Sequence, residues 1–210
     1  MRALVLADGD FPSAPLLREL AAAADVIAAA DGAADKALAA GIEPHIVIGD
    51  LDSVSAAARA RLGPGRFLED DDRYRTDLEK AISWAIEHGY GEIDVAGFGG
   101  GRADHALANL SVLILFRRQA ELRLVDDRFV VRLVDDEARI EAEPGTVVSL
   151  IAIGTCRGVT TENLRWNLRE ATLTFSPLGV HNEVAASPAT VRVREGDLLL
   201  FQGRWVERHE

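Results

Sequence analysis

Three short apolar runs near the start of the chain have the length of buried strands, and each is followed by a turn containing an acid and a glycine. The runs are Leu4–Ala7, Val26–Ala30 and Ile46–Ile48. Helix-forming segments lie between them, the first expected to be capped by Ser13 and the second closed by Gly41. Strands that alternate with helices in this way predict an α/β unit, a mostly parallel sheet with helices on both faces. The acidic turns are then expected to meet at the carboxyl edge of the sheet, where ligands bind in such folds.

The pattern changes after Glu121, where short and partly alternating apolar runs follow one another without an amphipathic helix. Runs of this kind predict an all-β sandwich or barrel. We therefore expect two domains: residues 1–126 form the α/β domain and residues 127–210 form a C-terminal β-sandwich domain. The first apolar run beyond Glu121 is expected to complete the parallel sheet.

Composition narrows the class of protein. The chain has 210 residues, and 34 acidic against 23 basic residues give a net charge of −11, so a broad nucleic-acid-binding surface is not expected. Cys156 is the only cysteine; it cannot form an intramolecular disulfide and is expected in the core. No apolar stretch has the length of a membrane span, and the N-terminal run is too short for a signal peptide. We expect a cytoplasmic protein that does not bind membranes.

The segment IVIGDLDS contains the first candidate metal ligands, Asp50 and Asp52. Extended backbone places residues i and i+2 on the same side of a strand. Both carboxylates would then face one point at the end of the sheet, where a cation such as Mg²⁺ relieves their repulsion. A second interpretation is purely structural, because Asp52 and Ser53 can instead cap a helix that begins near Ser55.

A longer helix is predicted from Thr76 to about Gly89, because Thr76 and Glu79 have the spacing of a capping box. Asp77 and Lys80 fall together on one face of this helix, next to its apolar stripe. They are either a surface ion pair or, together with the helix N-terminus, a site for phosphate and metal.

A glycine-rich turn follows the next predicted strand and leads into another helix start. Gly100 and Gly101 belong to this turn and allow the backbone to come close to a ligand, while Arg102 and Asp104 project from it. The turn lacks both the Walker sequence and the GxGxxG dinucleotide fingerprint. It predicts an anion site of another kind.

Two irregular stretches in the second half, GVTTENLRWNL and GVHNEV, have residues suited to bind a flat heterocycle. Trp166 is able to stack on such a ring, although a tryptophan in a small β domain more often lies in the core. Asn182 offers hydrogen bonds, or it simply belongs to a turn.

Together these segments resemble the thiamin pyrophosphokinase (thiamin diphosphokinase) family. The resemblance rests on the segments ADGAADKALAAGIEPHIVIGDLDS, TDLEKA and GGGRADHALAN, and on GVTTENLRWNL and GVHNEV in the second half. It implies an α/β domain followed by a β-sandwich. It also implies transfer of the diphosphoryl group of ATP to the hydroxyl of thiamin with release of AMP, a Mg²⁺ cofactor and a homodimer.

The resemblance also implies roles for individual residues. Asp50 and Asp52 would bind Mg²⁺, and Asp77, Lys80, Arg102 and Asp104 would be catalytic, with Asp77 or Asp104 as the proton acceptor. The residues that would contact ATP or thiamin are Asp31, Thr76, Gly100, Gly101, Trp166 and Asn182.

This chain departs from the family pattern at three places, Tyr74, His181 and His45, and the first two bear on substrate recognition. Tyr74 replaces an acid that often stands two residues before the TD pair, although an acidic run precedes it. Two other functions remain open at this point. One is a pyrophosphokinase for another hydroxymethyl heterocycle such as a pterin, and the other is a non-catalytic module that binds nucleotide or thiamin.

Overall fold

The computed structural model describes residues 1–207, which form two compact units. The first unit comprises Met1–Asp127 and the second begins at Arg128, where the sequence predicts a boundary after residue 126. Among residues 1–207, no helix combines the length and the apolar character that are needed to cross a membrane.

Within residues 1–127, six strands form a parallel sheet in the order β4, β3, β2, β1, β5, β6. Their bounds are β1 Arg2–Leu6, β2 Val26–Ala30, β3 Ile46–Gly49, β4 Phe67–Glu69, β5 Glu92–Ala96 and β6 Glu121–Val125. The strand order reverses next to β1, since the chain continues to β2 on one side and later adds β5 on the other. This reversal leaves a crevice at the carboxyl ends of β1 and β5, the usual ligand position in open α/β sheets.

Helices cover both faces of this sheet, as the sequence predicts. Their bounds are α1 Ala14–Ala23, α2 Ala33–Ala39, α3 Ala56–Leu62, α4 Asp77–Glu87, α5 Ala103–Asn109 and α6 Val112–Leu115. Alternate strand residues such as Leu4 and Ile27 form one apolar cluster with α1, α2 and α3. Helix α4 contacts β1, β2 and β3 but contributes no residue to that cluster, so it packs on the opposite face.

Local sequence signals set several of the helix ends. Thr76 Oγ1 accepts from the N–H of Glu79 at 3.2 Å, and Glu79 Oε2 accepts from the N–H of Thr76 at 2.9 Å, so the predicted capping box is present. The capping prediction for Ser13 is wrong. Helix α1 does begin at the next residue, but the Ser13 hydroxyl donates to Asp127 at 2.6 Å and its N–H to the same carboxylate at 2.7 Å.

Residues 128–207 contain seven strands and are dominated by one of them. The bounds are β7 Phe129–Val134, β8 Glu137–Ile140, β9 Thr146–Glu162, β10 Ala171–Thr174, β11 Asn182–Glu183, β12 Ala189–Arg192 and β13 Glu195–Val206. Strand β13 pairs with β9 between Thr146 and Arg157 and also pairs with β7. Strand β12 pairs with the end of β9, Thr160–Glu162, and also pairs with β8. All of these pairs are antiparallel. The sequence predicts strands here but does not reveal that β9 runs for 17 residues.

Both groups of strands contribute to a single apolar core. Leu150 and Leu200 enter it from the β13 side of β9, and Ile140 and Val191 enter it from β8 and β12. Cys156 is fully buried in the same core, which confirms its predicted position.

Stability of the first unit is expected to depend strongly on Ile82, a residue of α4 with 0% exposure. Ile82→Ala should lower the free energy of unfolding by about 2–5 kcal/mol, because it leaves a cavity between α4 and the sheet. Leu107→Ala is the control, since that side chain is 58% exposed and its loss should cost no more than about 0.5 kcal/mol. Urea denaturation of both variants measures the difference, and equal losses would contradict the assignment of Ile82 to the core.

Candidate active site

A cavity of about 770 Å³ opens at the carboxyl ends of the strands of the first unit. Its walls come from the turns after β1, β2, β3 and β5 and from the first turn of α4. The sequence predicts a site at this edge, and the cavity is large enough to enclose much of a nucleotide-sized ligand. The lining residues from the acidic and glycine-rich motifs are Asp8, Gly9, Asp31, Asp50, Asp52, Asp72, Arg75, Thr76, Asp77, Lys80, Gly100, Gly101 and Arg102.

Asp31 is the most unusual of these groups. Asp31 is 5% exposed, and its Oδ1 has no hydrogen-bond partner among residues 1–207. Its Oδ2 accepts only a long hydrogen bond, 3.3 Å, from the N–H of Ser53. Burial, together with the nearby charges of Asp77 and Asp50, raises the pKa of Asp31 to about 6. A buried carboxylate oxygen without a partner is costly unless a ligand satisfies it.

Asp31, Asp50 and Asp77 each place one carboxylate oxygen within 4.8 Å of the others. Gly49 makes this approach possible, because an added Cβ would lie 2.8 Å from Asp31 Cβ and 3.0 Å from Asp77 Cγ. Three carboxylates this close repel one another, and oxygen ligands are what Mg²⁺ requires. The donor set and the unpartnered oxygen of Asp31 therefore fit a hard divalent cation.

Asp52 lines the cavity but is not a member of this group of three. The expectation that Asp50 and Asp52 share one side of an extended strand is wrong, because β3 ends at Gly49 and Leu51 has a φ of +63°. The carboxylate of Asp52 instead accepts a hydrogen bond from the hydroxyl of Ser53 at 2.8 Å. The backbone N–H of Asp52 donates to Asp50 Oδ1 at 3.3 Å.

The alternative capping interpretation of Asp52 and Ser53 is also wrong. Helix α3 is capped by Ser55, whose Oγ accepts from the N–H of Ala58 at 3.0 Å. Asp52 and Ser53 are therefore not needed to begin α3.

Lys80 contacts Asp77 of this group of three carboxylates and is only 5% exposed. The interpretation of Asp77 and Lys80 as a surface ion pair is therefore wrong. The Lys80 ammonium donates to Asp77 Oδ1 and to the carbonyl oxygen of Asp70, both at 2.9 Å. Burial alone would lower the pKa of Lys80, but the hydrogen bond and charge of Asp77 and the charges of Asp70 and Asp50 outweigh it and raise that pKa. Two of the three ammonium hydrogens thus have protein acceptors.

The glycine-rich turn packs against the turn after β1. Gly9 donates its N–H to the carbonyl of Gly97 at 2.8 Å, and a Cβ at Gly9 would lie 2.1 Å from the carbonyl oxygen of Gly99. Gly100 and Gly101 have φ values of +80° and +59°, which favour glycine. The close backbone approach that the sequence predicts is therefore between the glycine-rich turn and the turn after β1. Gly100 and Gly101, in the same glycine-rich turn, line the cavity.

Arg102 precedes α5 and lines the cavity, and its guanidinium binds the carboxylate of Asp104 at 2.6 and 3.1 Å. Asp104 does not line the cavity. The hydrogen bond from Arg102 holds the pKa of Asp104 down, at about 2. A carboxylate this acidic is a poor proton acceptor at neutral pH.

Sequence reasoning missed some lining residues, notably Asp72 and Arg75. The acidic run before Thr76 could have indicated Asp72 as a residue of the site. No local pattern distinguishes Arg75 from other surface arginines of this chain, because its contacts depend on how residues 70–75 fold.

In the second unit, Trp166 is 54% exposed, so the alternative that it belongs to the core is wrong. Its backbone N–H donates to Asn182 Oδ1 at 3.2 Å, and its carbonyl accepts from Asn182 Nδ2 at 2.7 Å. The Arg165 guanidinium lies 4.9 Å from the centre of the Trp166 ring. Asn182 thus holds the tryptophan backbone with both ends of its amide.

Comparison with known families accounts for both units. A family model described as "Thiamin pyrophosphokinase, catalytic domain" matches residues 17–125, more than half of the chain. A second, "Thiamin pyrophosphokinase, vitamin B1 binding domain", matches residues 137–198. The chain belongs to the thiamin pyrophosphokinase family. It is a transferase with thiamin diphosphokinase activity.

Individual relatives agree with this assignment. A thiamine pyrophosphokinase from Bacillus subtilis is 28% identical over 173 residues, which are 79% of this chain and 81% of that protein. Thiamine pyrophosphokinase 2 from Oryza sativa is 33% identical over 171 residues, 74% of this chain and 64% of the rice protein.

Solved structures of thiamin pyrophosphokinases have the same fold. The Bacillus subtilis structure has a TM-score of 0.83 at 25% identity and covers 97% of this chain and 99% of its own. The yeast structure has a TM-score of 0.78 at 18% identity, covering 96% and 86%, and supports the fold alone. The α/β unit followed by a β unit is the architecture that the sequence predicts.

The raised pKa of Asp31 predicts that its carboxylate lowers the stability of the metal-free protein at neutral pH. A folded-state pKa of about 6, against the ordinary aspartate pKa of 3.8, means that the unfolded chain ionises Asp31 more easily. The metal-free protein should therefore lose stability as pH rises from about 4 to about 6. Asp31→Asn should remove this loss and raise the free energy of unfolding above pH 7 by up to about 3 kcal/mol.

Urea denaturation with EDTA at pH 4 and pH 8 measures this gain, which should shrink towards zero at pH 4. Asp71→Asn is the control, since it makes the same charge change at an exposed lining residue. An Asp31→Asn protein that is less stable than the parent at pH 8 would contradict the explanation.

Proposed function

We propose that the cavity of the first unit binds ATP and is where its diphosphoryl group is transferred. The observation that carries this proposal is the group Asp31, Asp50 and Asp77 beside a buried lysine, with one buried oxygen of Asp31 that has no hydrogen-bond partner in the described part of the chain. In the transfer, the thiamin hydroxyl oxygen bonds to the β-phosphorus of ATP and the bond from that phosphorus to the α,β-bridging oxygen breaks. AMP leaves, and the hydroxyl proton passes to a base. Such transfers depend mainly on positioning and on charge stabilisation.

Asp31, Asp50 and Asp77 would hold Mg²⁺, with Asp52 as a further carboxylate at the edge of the cavity. When bound, Mg²⁺ supplies neutralisation of the charge on the triphosphate oxygens. We assign Asp77 to this site and to Lys80 rather than to proton transfer, because its Oδ1 already accepts from the ammonium at 2.9 Å. Asp104 is disfavoured as the base because it does not line the cavity.

The cations and the helix N-terminus would bind the phosphates. Lys80 is held by two acceptors and can direct its third N–H at a phosphate oxygen. Arg102 would exchange part of its contact with Asp104 for a planar contact with phosphate. Thr76 caps α4, and Gly100 and Gly101 present backbone without side chains, so these three define the shape of the cavity around the nucleotide.

The second unit would bind thiamin, with Trp166 stacking on one of its rings. Its exposed ring and its fixed backbone support this role, because a preorganised aromatic side chain loses little entropy on binding. Asn182 contributes by fixing Trp166, and its amide is already engaged with the main chain. The homodimer and the cytoplasmic location remain predictions from the family resemblance and from the sequence.

The metal group is tested by comparing three carboxylate variants. Asp50→Asn should lower kcat at least about 100-fold, because it removes a ligand of the cation that stabilises the transferred group. Asp52→Asn should cost less, since its carboxylate lies outside the group of three, and Asp135→Asn, at an exposed residue that does not line the cavity, should leave kcat unchanged.

The assay supplies ATP, Mg²⁺ and thiamin and measures AMP and thiamin diphosphate. Near-normal turnover by Asp50→Asn would overturn the metal site. Formation of AMP with a hydroxymethylpterin but not with thiamin would contradict the assignment of thiamin as the acceptor of the diphosphoryl group.

The thiamin contact is tested by Trp166→Ala. The KM for thiamin should rise about 2- to 13-fold while the KM for ATP stays constant, because stacking of one ring contributes about 0.5–1.5 kcal/mol. An unchanged KM for thiamin would remove Trp166 from the substrate site. Trp205→Ala is the matched control within the same unit.

A further inference from the structure

We infer that Asp70 and Arg75 are positioning residues of the diphosphoryl transfer: together they fix the backbone carbonyl that holds Lys80. Neither residue needs to touch a substrate for this role. The inference rests on the proposed function of Lys80, and it adds a cause for the position of that ammonium.

The backbone of Asp70 joins the end of β3 to α4. Its N–H donates to the carbonyl of Gly49 at 2.8 Å, directly before the candidate metal ligand Asp50. Its own carbonyl accepts from Lys80 Nζ at 2.9 Å. A shift of this one residue would therefore alter the position of Lys80 and, through the 2.9 Å contact between Lys80 and Asp77, the group of carboxylates.

The side chain of Asp70 is fixed in turn by the segment that follows it. Its Oδ2 accepts from Arg75 Nη2 at 2.9 Å, and its Oδ1 accepts from the N–H of Asp72 at 3.0 Å. Arg75 Nε donates to Asp72 Oδ2 at 2.8 Å, and the N–H of Tyr74 donates to Asp72 Oδ1 at 2.9 Å. One guanidinium thus bridges two carboxylates and closes residues 70–75 into a compact loop.

The contacts of Arg75 assign one face of its guanidinium to the protein. Its Nε and Nη2, the side-on fork, both donate to protein carboxylates. A phosphate could bind this face only by breaking the loop that holds Lys80. The other N–H groups of the guanidinium leave direct contact with ATP as an alternative, and the kinetics below separate that alternative from the positioning role.

The composition of the chain supports a special role for ammonium at this site. Only two of its 23 basic residues are lysines, Lys36 and Lys80. Lys36 donates to Asp8 Oδ1 at 2.9 Å and to the backbone carbonyls of Asp8 and Gly9. Within residues 1–207, Lys80 binds two acceptors, so its tetrahedral ammonium retains one donor for a substrate oxygen.

The experiment compares Arg75→Ala, Arg75→Lys and Asp70→Asn with a control, Arg61→Ala. Arg61 makes the same kind of two-donor contact, 3.1 and 3.2 Å to Glu43, at an exposed position that does not line the cavity. Steady-state kinetics give kcat and the KM values for ATP and thiamin. Acetylation with an N-hydroxysuccinimide ester, followed by mass spectrometry, measures the accessibility of Lys80, with Lys36 as the internal reference.

Arg75→Ala should lower kcat about 10-fold or more with little change in either KM, because a displaced catalytic group costs rate more than binding. Acetylation of Lys80 should accelerate relative to that of Lys36. Arg75→Lys should have a kcat between those of Arg75→Ala and the parent. Lysine keeps the positive charge beside Asp70 and Asp72, but its ammonium lacks the planar pair of donors that binds both carboxylates. Asp70→Asn should resemble Arg75→Ala, and the double variant should be no worse than either single variant. Arg61→Ala should match the parent in both measurements.

Other outcomes separate this inference from the proposed function. A raised KM for ATP with kcat unchanged would make Arg75 a direct ligand of phosphate and overturn the positioning role. Parental kcat and parental Lys80 acetylation in both Arg75→Lys and Asp70→Asn would overturn it as well, even if Arg75→Ala fails to fold. Full activity of Lys80→Ala would instead overturn the proposed function of the lysine.

Discussion

The repulsion among Asp31, Asp50 and Asp77 is the interaction on which the arrangement of the first unit depends. The fold brings one oxygen of each within 4.8 Å of the others and provides a single buried lysine beside them. Without a cation this arrangement is unfavourable, and the pKa of Asp31 is raised first by its burial and then by the charges of Asp77 and Asp50. The surrounding structure therefore has to impose it, and the parallel sheet does so by ending β2 and β3 side by side under the first turn of α4.

Several features of the unit follow from this need. Gly49 has no side chain because one would collide with Asp31 and Asp77. The capping box of α4 fixes the start of the helix that carries Asp77 and Lys80. Sites that bind a charged cofactor commonly store unfavourable energy of this kind, which the ligand then relieves.

Local patterns in the sequence were sufficient for five of the six strands of the parallel sheet, the capping box and the position of the cavity edge, but not for β4 or the length of β9. They failed where the answer depended on packing. The left-handed turn at Leu51 separates Asp52 from Asp50, and only the packing of α4 on the sheet brings Asp77 to Asp31 and buries Lys80. The exposure of Trp166 and the contacts of Arg75 also depend on loops whose form no periodicity encodes. The family resemblance identified most of the residues at the cavity but not which of them are neighbours.

The length of β9 has a further consequence for the second unit. One continuous strand pairs with β13 at its beginning and with β12 at its end, and both groups of strands share the same core. Neither group can separate from the other without exposing that core, so residues 128–207 are expected to unfold as one cooperative body. A ligand that binds only the loop around Trp166 would therefore stabilise every strand of the unit, including those it never touches.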